Sequence, residues 1–331
     1  MVTRTTIMAE KKTALIHGFG LDGQGGAVSY RLADIAGIEA GQPHWVHLDF
    51  TSRRARDWIR KSSGLSTIVA DALLDEDSRP RVLEKGNGVL IILRGVNHNP
   101  GEAIDDMVSI RVWLEPGRII STRRRRLLSV SGLADDLRAG NGPISLEALV
   151  LDLVIRLNDR IDKAIDEVND AIEAAETQFG SGHVTSYRGE FAQLRRQAVR
   201  LRRWLAPQRI ALDALTRTTG GPLTESHKLR LREAADELTR FLEELDLVRE
   251  RAMVAQEELI AQLAQEQNSR MYILSLIAAV FLPLSFLTGL MGMNVAGLPG
   301  TVDPQSFSLL VFGMVAVGVG ILALFKWRKW L

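Results

Sequence analysis

Between Arg270 and Asp303 lie 32 consecutive residues without an Asp, Glu, Lys, Arg or His, opening MYILSLIAAVFLPLSFLTGLM. A helix that crosses the hydrocarbon core of a bilayer needs about 20 apolar residues, so this run is long enough to span. Residues 304–325 are again uncharged, with SFSLLVFGMVAVGVGILALF as a second stretch of spanning length. Buried helices of a soluble core rarely run so far without a charge, and the runs lie far from the position of a secretory signal. Two transmembrane helices follow, at 271–292 and 306–325, joined by an outer loop at 293–305 and closed by a basic tail at 326–331. Arg270 precedes the first span and Lys326, Arg328 and Lys329 follow the second, while the connecting loop offers only Asp303. The positive-inside rule then places both termini in the cytoplasm, with Trp327 and Trp330 at headgroup level.

The chain's 331 residues allow about two domains. The 41 Lys and Arg nearly balance the 40 Asp and Glu, which argues against a nucleic-acid protein held by basic excess. Residues 271–331 hold three cations and Asp303, leaving one net negative charge on the first 270 residues. There are no cysteines, which removes disulfides, thiolate metal ligands and thiol nucleophiles.

Residues 1–143 read as a cytoplasmic α/β domain. HWVHLDF at 44–50, GVLIILRGV at 88–96, DMVSIRVWLEP at 106–116 and GRIIST at 117–122 are β-rich runs separated by turn signals, with a helix expected between the first two. Residues 144–270 change to helical periodicity, broken at Gly180–Gly182 and at Gly220, Gly221 and Pro222, which predicts three helices forming a cytoplasmic stalk. From Thr224 onward the first proline is Pro283 and the first glycine Gly289, so the third helix and the first span are predicted to be one element on the order of 90 Å long. Pro283 leaves the Ala279 carbonyl without its helical partner, which a bundle tolerates where neighbours re-satisfy it.

Three tempting motifs are set aside. Gly18, Gly20 and Gly23 in HGFGLDG fit G-x-G-x-x-G after a possible strand, TALIH, but no βαβ repeat follows, so they read as a glycine-rich turn. His44 and His47 would share a face on a helix, but in a strand they point to opposite sides. The run Arg123–Arg126 reads as a solvated strand end. No arrangement specific to an enzyme emerges, and no cofactor is implied.

Two spans cannot enclose a pathway, so function requires oligomerisation. The first span ends in Gly292, Met293 and Asn294. In a symmetric ring, glycine admits close backbones and asparagine offers neutral oxygen ligands to a cation that keeps much of its water. Stepping back by threes and fours from Gly292 gives Gly289, Ser285, Leu282, Ala278, Leu274 or Ser275, and Met271 as the pore-lining face. Met271, Leu274 and Leu282 suit a gate that closes by dewetting, although a helix seam of small residues has the same spacing. Continuing by sevens reaches Ala264, Glu257, Glu250, Glu243 and Asp236, which repeated by symmetry are stacked acidic rings, or otherwise a solvated coiled-coil face. Leu231, Leu238, Leu242, Leu245, Val248, Ala252 and Leu259 form the stripe expected to pack on the preceding helices.

GLMGMN at 289–294 after FLPLSF, a long stalk helix, a short outer loop and a basic tail resemble the CorA superfamily of divalent-cation transporters, whose signature is Gly-Met-Asn. LDGQGGA at 21–27, RPRV at 79–82, LRGVNHNPG at 93–101, DDMVSIR at 105–111 and LAPQR at 205–209 resemble its ZntB branch. The resemblance implies an α+β membrane protein of the bacterial inner membrane, assembled as a homopentameric funnel, with Gly292-Met293-Asn294 as outer filter and zinc taken up with protons. The sequence departs from the magnesium-type pattern at Gly300, where that branch has a loop glutamate; Asp303 stands nearby. Zinc rests on the resemblance, since neutral oxygens do not select it by softness, and no carboxylate or histidine lies inside either span to carry a proton. A CorA-type magnesium or cobalt channel is the alternative within the class, and a membrane-anchored coiled-coil adaptor the alternative outside it.

Overall fold

The structure, a computed structural model, describes residues 14–39, 41–76, 79–97, 99, 101–103, 105–179, 187–293, 300 and 305–328. The chain divides into two compact units, Met1–Gln256 and Glu257–Leu331.

The first unit is built on a seven-stranded sheet of β1 (Leu15–Leu21), β2 (Ala27–Ser29), β3 (His44–Asp49), β4 (Arg81–Lys85), β5 (Gly88–Gly95), β6 (Val108–Glu115) and β7 (Arg118–Arg123). The spatial order is β2-β1-β3-β7-β6-β5-β4. β3 and β7 pair in parallel and every other neighbouring pair is antiparallel. β5 is buried along all eight residues, as its continuous apolar run demands of a strand covered on both faces. On one face Val46, Leu48, Leu90, Ile92, Trp113 and Ile120 pack with α1 (Arg53–Lys61) and α2 (Thr67–Leu74). The longer helices α3 (Leu128–Ala139), α4 (Leu146–Phe179) and α5 (Tyr187–Thr216) follow, and α4 and α5 both contact β5. Gln208 of α5 accepts the Arg94 backbone N–H at 2.7 Å, and the Arg94 guanidinium lies 3.6 Å over the Trp204 ring. α6 runs from Glu225 to Met291 as one 67-residue helix, and α7 covers Ser306–Trp327.

The structure departs from the sequence reading in three places. Gly18 and Gly20 lie inside β1 rather than in a turn, and a Cβ on Gly20 would stand 2.5 Å from the Tyr30 ring, so bare backbone lets that ring lie on the strand. The turn comes later, where Asp22 Oδ1 accepts the N–H groups of Gln24 and Gly26. Two helices replace the one expected after β3, separated at Gly64, whose φ of 71° is left-handed. Arg124 and Arg125 are not merely solvated: they pair with Glu76 at 3.2 Å, and with Glu102 and Asp106 at 3.1 and 2.5 Å.

His44 and His47 stand on opposite faces of β3, as strand alternation requires. His47 is fully buried and its Nδ1 lies 2.8 Å from Ser121 Oγ, the oxygen that also accepts the Trp45 Nε1–H at 2.8 Å. His17 stacks on His47 at 5.8 Å. Burial, then the charges of Arg138 and Arg123, lowers the His17 pKa to about 4. Burial, Arg123 and His17 hold His47 well below the ordinary value.

Both rings are neutral in the fold yet titrate near pH 6.5 in the unfolded chain, which therefore binds more protons at intermediate pH. The thermal unfolding temperature of the first unit is expected to be level above about pH 6.5 and to fall as the pH drops toward the lowered His17 value of about 4. His17→Gln should make that fall shallower; an equal slope in a calorimetric pH series would contradict this assignment.

Candidate functional site

At about 1.5 Å per residue, α6 is on the order of 100 Å long, and its two sides differ in kind. Leu231, Leu238, Leu245, Val248, Ala252 and Leu259 are buried, and Leu242 is half-buried. Polar side chains fix the height of this helix on α4 and α5. Asn158, itself buried, donates through Nδ2 to the Ala234 carbonyl at 2.8 Å and to Glu237 at 3.0 Å. Arg251 grips Glu176 through two nitrogens at 3.1 and 2.5 Å, Arg240 meets Asp162 at 3.4 Å, and Arg202 meets Asp246 at 2.8 Å.

Asp236, Glu243, Glu250 and Glu257 are all exposed and recur every seven residues. At 100° per residue they occupy a sector about 60° wide, centred opposite the buried stripe. Among the described residues none of the four enters an ion pair, and exposed Arg232, about five turns before Glu250, shares their sector. Leu247 and Val254 lie between them and are 55% and 57% exposed. An outward face of predominantly acidic and apolar residues carries both a field for cations and a surface for other helices.

Above the stalk, Met271, Leu274, Ala278, Leu282, Ser285 and Gly289 are exposed, with Leu282 at 75%. They share that exposure with most of the span, so exposure does not separate a pore face from a lipid face. Two hydroxyls of this segment bond to the helix's own backbone: Ser275 donates to the Met271 carbonyl at 2.8 Å, and Thr288 Oγ1 lies 3.1 and 3.0 Å from the Leu284 and Ser285 carbonyls. Such back-bonding satisfies a polar side chain without water. Pro283 sits within the helix.

At the helix end the Gly292 N–H donates to the Thr288 carbonyl at 2.9 Å, and a Cβ on Gly292 would stand 3.1 Å from that oxygen. Met293 is 46% exposed. Asn294 and Asp303 lie outside the described residues. The sequence reading passed over the polar stretch just below the span, where Gln262, Gln265, Glu266, Ser269 and Arg270 line an open groove; its signal is a set of neutral amides and hydroxyls directly before an apolar run. Among the described residues no group of three or more His, Asp or Glu side chains forms a metal cage. α6 and α7 are both long and apolar enough to cross a membrane.

The sequence profile described as CorA-like Mg2+ transporter protein matches residues 40–327. The chain is 39% identical over 317 residues to the divalent cation transporter CmaX of Pseudomonas aeruginosa, covering 95% of this chain and 94% of that one. It is 34% identical over 316 residues to the zinc transport protein ZntB of Yersinia enterocolitica, covering 96% of each. The structure of the full-length CmaX protein superposes with a TM-score of 0.85 at 37% identity, covering 97% of this chain and all of that one.

Glu250→Gln with Glu257→Gln is expected to weaken divalent-cation binding at low ionic strength and have little effect at high salt, because exposed charges are screened within about 10 Å at 0.1 M. Equal metal affinity and stoichiometry by low-salt calorimetry in variant and parent would contradict it.

Proposed function

Because the chain belongs to the CorA-like Mg2+ transporter family, we propose that it carries divalent metal cations across a bacterial inner membrane, taking up zinc together with protons through a homopentameric pore. The observation that carries this reading is the continuity of α6, whose single run from Glu225 to Met291 joins an acidic stalk to an apolar span and ends directly before Gly292-Met293-Asn294. On this reading residues 1–143 are the cytoplasmic α/β domain, 144–270 the stalk, 271–292 and 306–325 the spans, 293–305 the outer loop and 326–331 the cytoplasmic tail, with both termini inside.

In the mechanism a ring of Asn294 carboxamide oxygens meets a cation that keeps most of its water. Neutral dipoles bind it weakly enough to release it, as conduction requires. Met271, Leu274 and Leu282 form the apolar constriction that opens by wetting. The rings of Asp236, Glu243, Glu250 and Glu257 hold cations at the cytoplasmic end by field rather than by direct ligation. No carboxylate or imidazole lies in either span, so proton coupling does not use an intramembrane titratable side chain. Zinc as cargo is supported by the ZntB relatives, and the loop residue Gly300 supports it by withholding a carboxylate from the outer mouth. The family description itself favours magnesium as the second reading.

The test is Asn294→Ala in the purified full chain reconstituted into liposomes. Loss of zinc flux, or loss of its preference over magnesium, with an unchanged oligomer mass is the expected outcome. Unchanged flux and unchanged metal ranking would contradict the filter assignment.

A further inference from the structure

The hairpin of α4 and α5 presents two solvent faces of opposite sign. On α4 the exposed residues Asp159, Asp166, Asp170 and Glu173 recur at helical spacing with Lys163 as the one cation among them. On α5, Arg195, Arg196, Val199 and Arg200, with Ala192 and with Gln256 of α6, line an open groove of about 420 Å³. Arg200 is engaged by the buried Asp105. Arg195 and Arg196 have no ion-pair partner among the described residues, nor have Asp159, Asp166 and Asp170. Val199 is 47% exposed and gives the groove an apolar floor.

The two faces also lie at one height. Glu173 and Asp166 precede the end of α4, and Arg195 and Arg200 follow the start of α5, by distances of about 10 to 20 Å at 1.5 Å per residue. A rotation without translation, which is what a closed ring applies, therefore brings the α5 face of one copy level with the α4 face of the next. A two-fold pairing through α5 would instead set arginine against arginine, and like charges across an interface are costly. We infer that the Arg195–Arg196–Val199 groove docks head-to-tail on the Asp166–Asp170–Glu173 face of a second copy of this chain. This rests on the oligomeric reading above and specifies which surfaces close the ring, leaving the acidic stripe of α6 free for the axis.

The absence of cysteine makes the test clean. Arg196→Cys and Asp170→Cys are introduced together and singly into the full-length protein, which is treated in membranes with a short bismaleimide. The double variant is expected to give a ladder of covalent multimers ending in the closed ring, and neither single variant a ladder. Arg195→Glu with Arg196→Glu should reduce the multimer mass in detergent, and adding Asp166→Lys with Asp170→Lys should restore it. A ring by native mass without a ladder would overturn the docking alone. Cross-linked dimers from Arg196→Cys by itself would replace it with a two-fold contact, and a monomer by native mass would overturn both the docking and the oligomeric pore.

Discussion

Everything in this molecule is subordinate to the backbone hydrogen bonds of one apolar segment. In hydrocarbon an unsatisfied N–H or C=O costs several kcal/mol, so the run from Met271 onward must be helical, and nothing between Glu225 and Leu282 interrupts that helix. Residues Glu225–Met291 are thereby one continuous helix.

What holds the stalk is unusually polar for a helix seam. The leucine stripe supplies the burial, at roughly 25 cal/mol per Å² of apolar surface, but such a stripe repeats every seven residues and permits slippage by one repeat. Asn158 on the Ala234 carbonyl and the two-nitrogen grip of Arg251 on Glu176 distinguish one register from the next. Asn158 is itself buried, so truncating it removes a hydrogen bond made inside the seam, a more serious loss than a surface ion pair. On the opposite side of α6, Asp236, Glu243, Glu250 and Glu257 are exposed and enter no ion pair among the described residues.

The spans and the helix breaks were legible because each has a strong one-dimensional signal: absence of charge over bilayer length, and glycine or proline between periodic runs. The resemblance to the family was legible in Gly292-Met293-Asn294 and in the short motifs around it. β4 was not, because Arg81–Lys85 is an exposed edge strand with almost no buried face to impose alternation. β1 was obscured by Gly18 and Gly20, which mimic a phosphate loop but serve the packing of Tyr30. The clamp residues Asn158, Glu176 and Arg251 gave no signal either, since a polar residue on a helix reads as solvated until its neighbour is known. The acidic stripe was visible as a period of seven, and the leucine stripe opposite it, expected to pack on the preceding helices, is buried apart from half-buried Leu242.

The proposed uptake of zinc with protons is tested by loading liposomes that contain the purified full chain with a zinc indicator and a pH indicator together. Zinc entry above that of empty liposomes is expected, in preference to magnesium, faster with an acidic exterior and accompanied by internal acidification. Cation flux no greater than in empty liposomes would contradict transport itself, and magnesium entry exceeding zinc, indifferent to the proton gradient, would contradict the zinc–proton assignment.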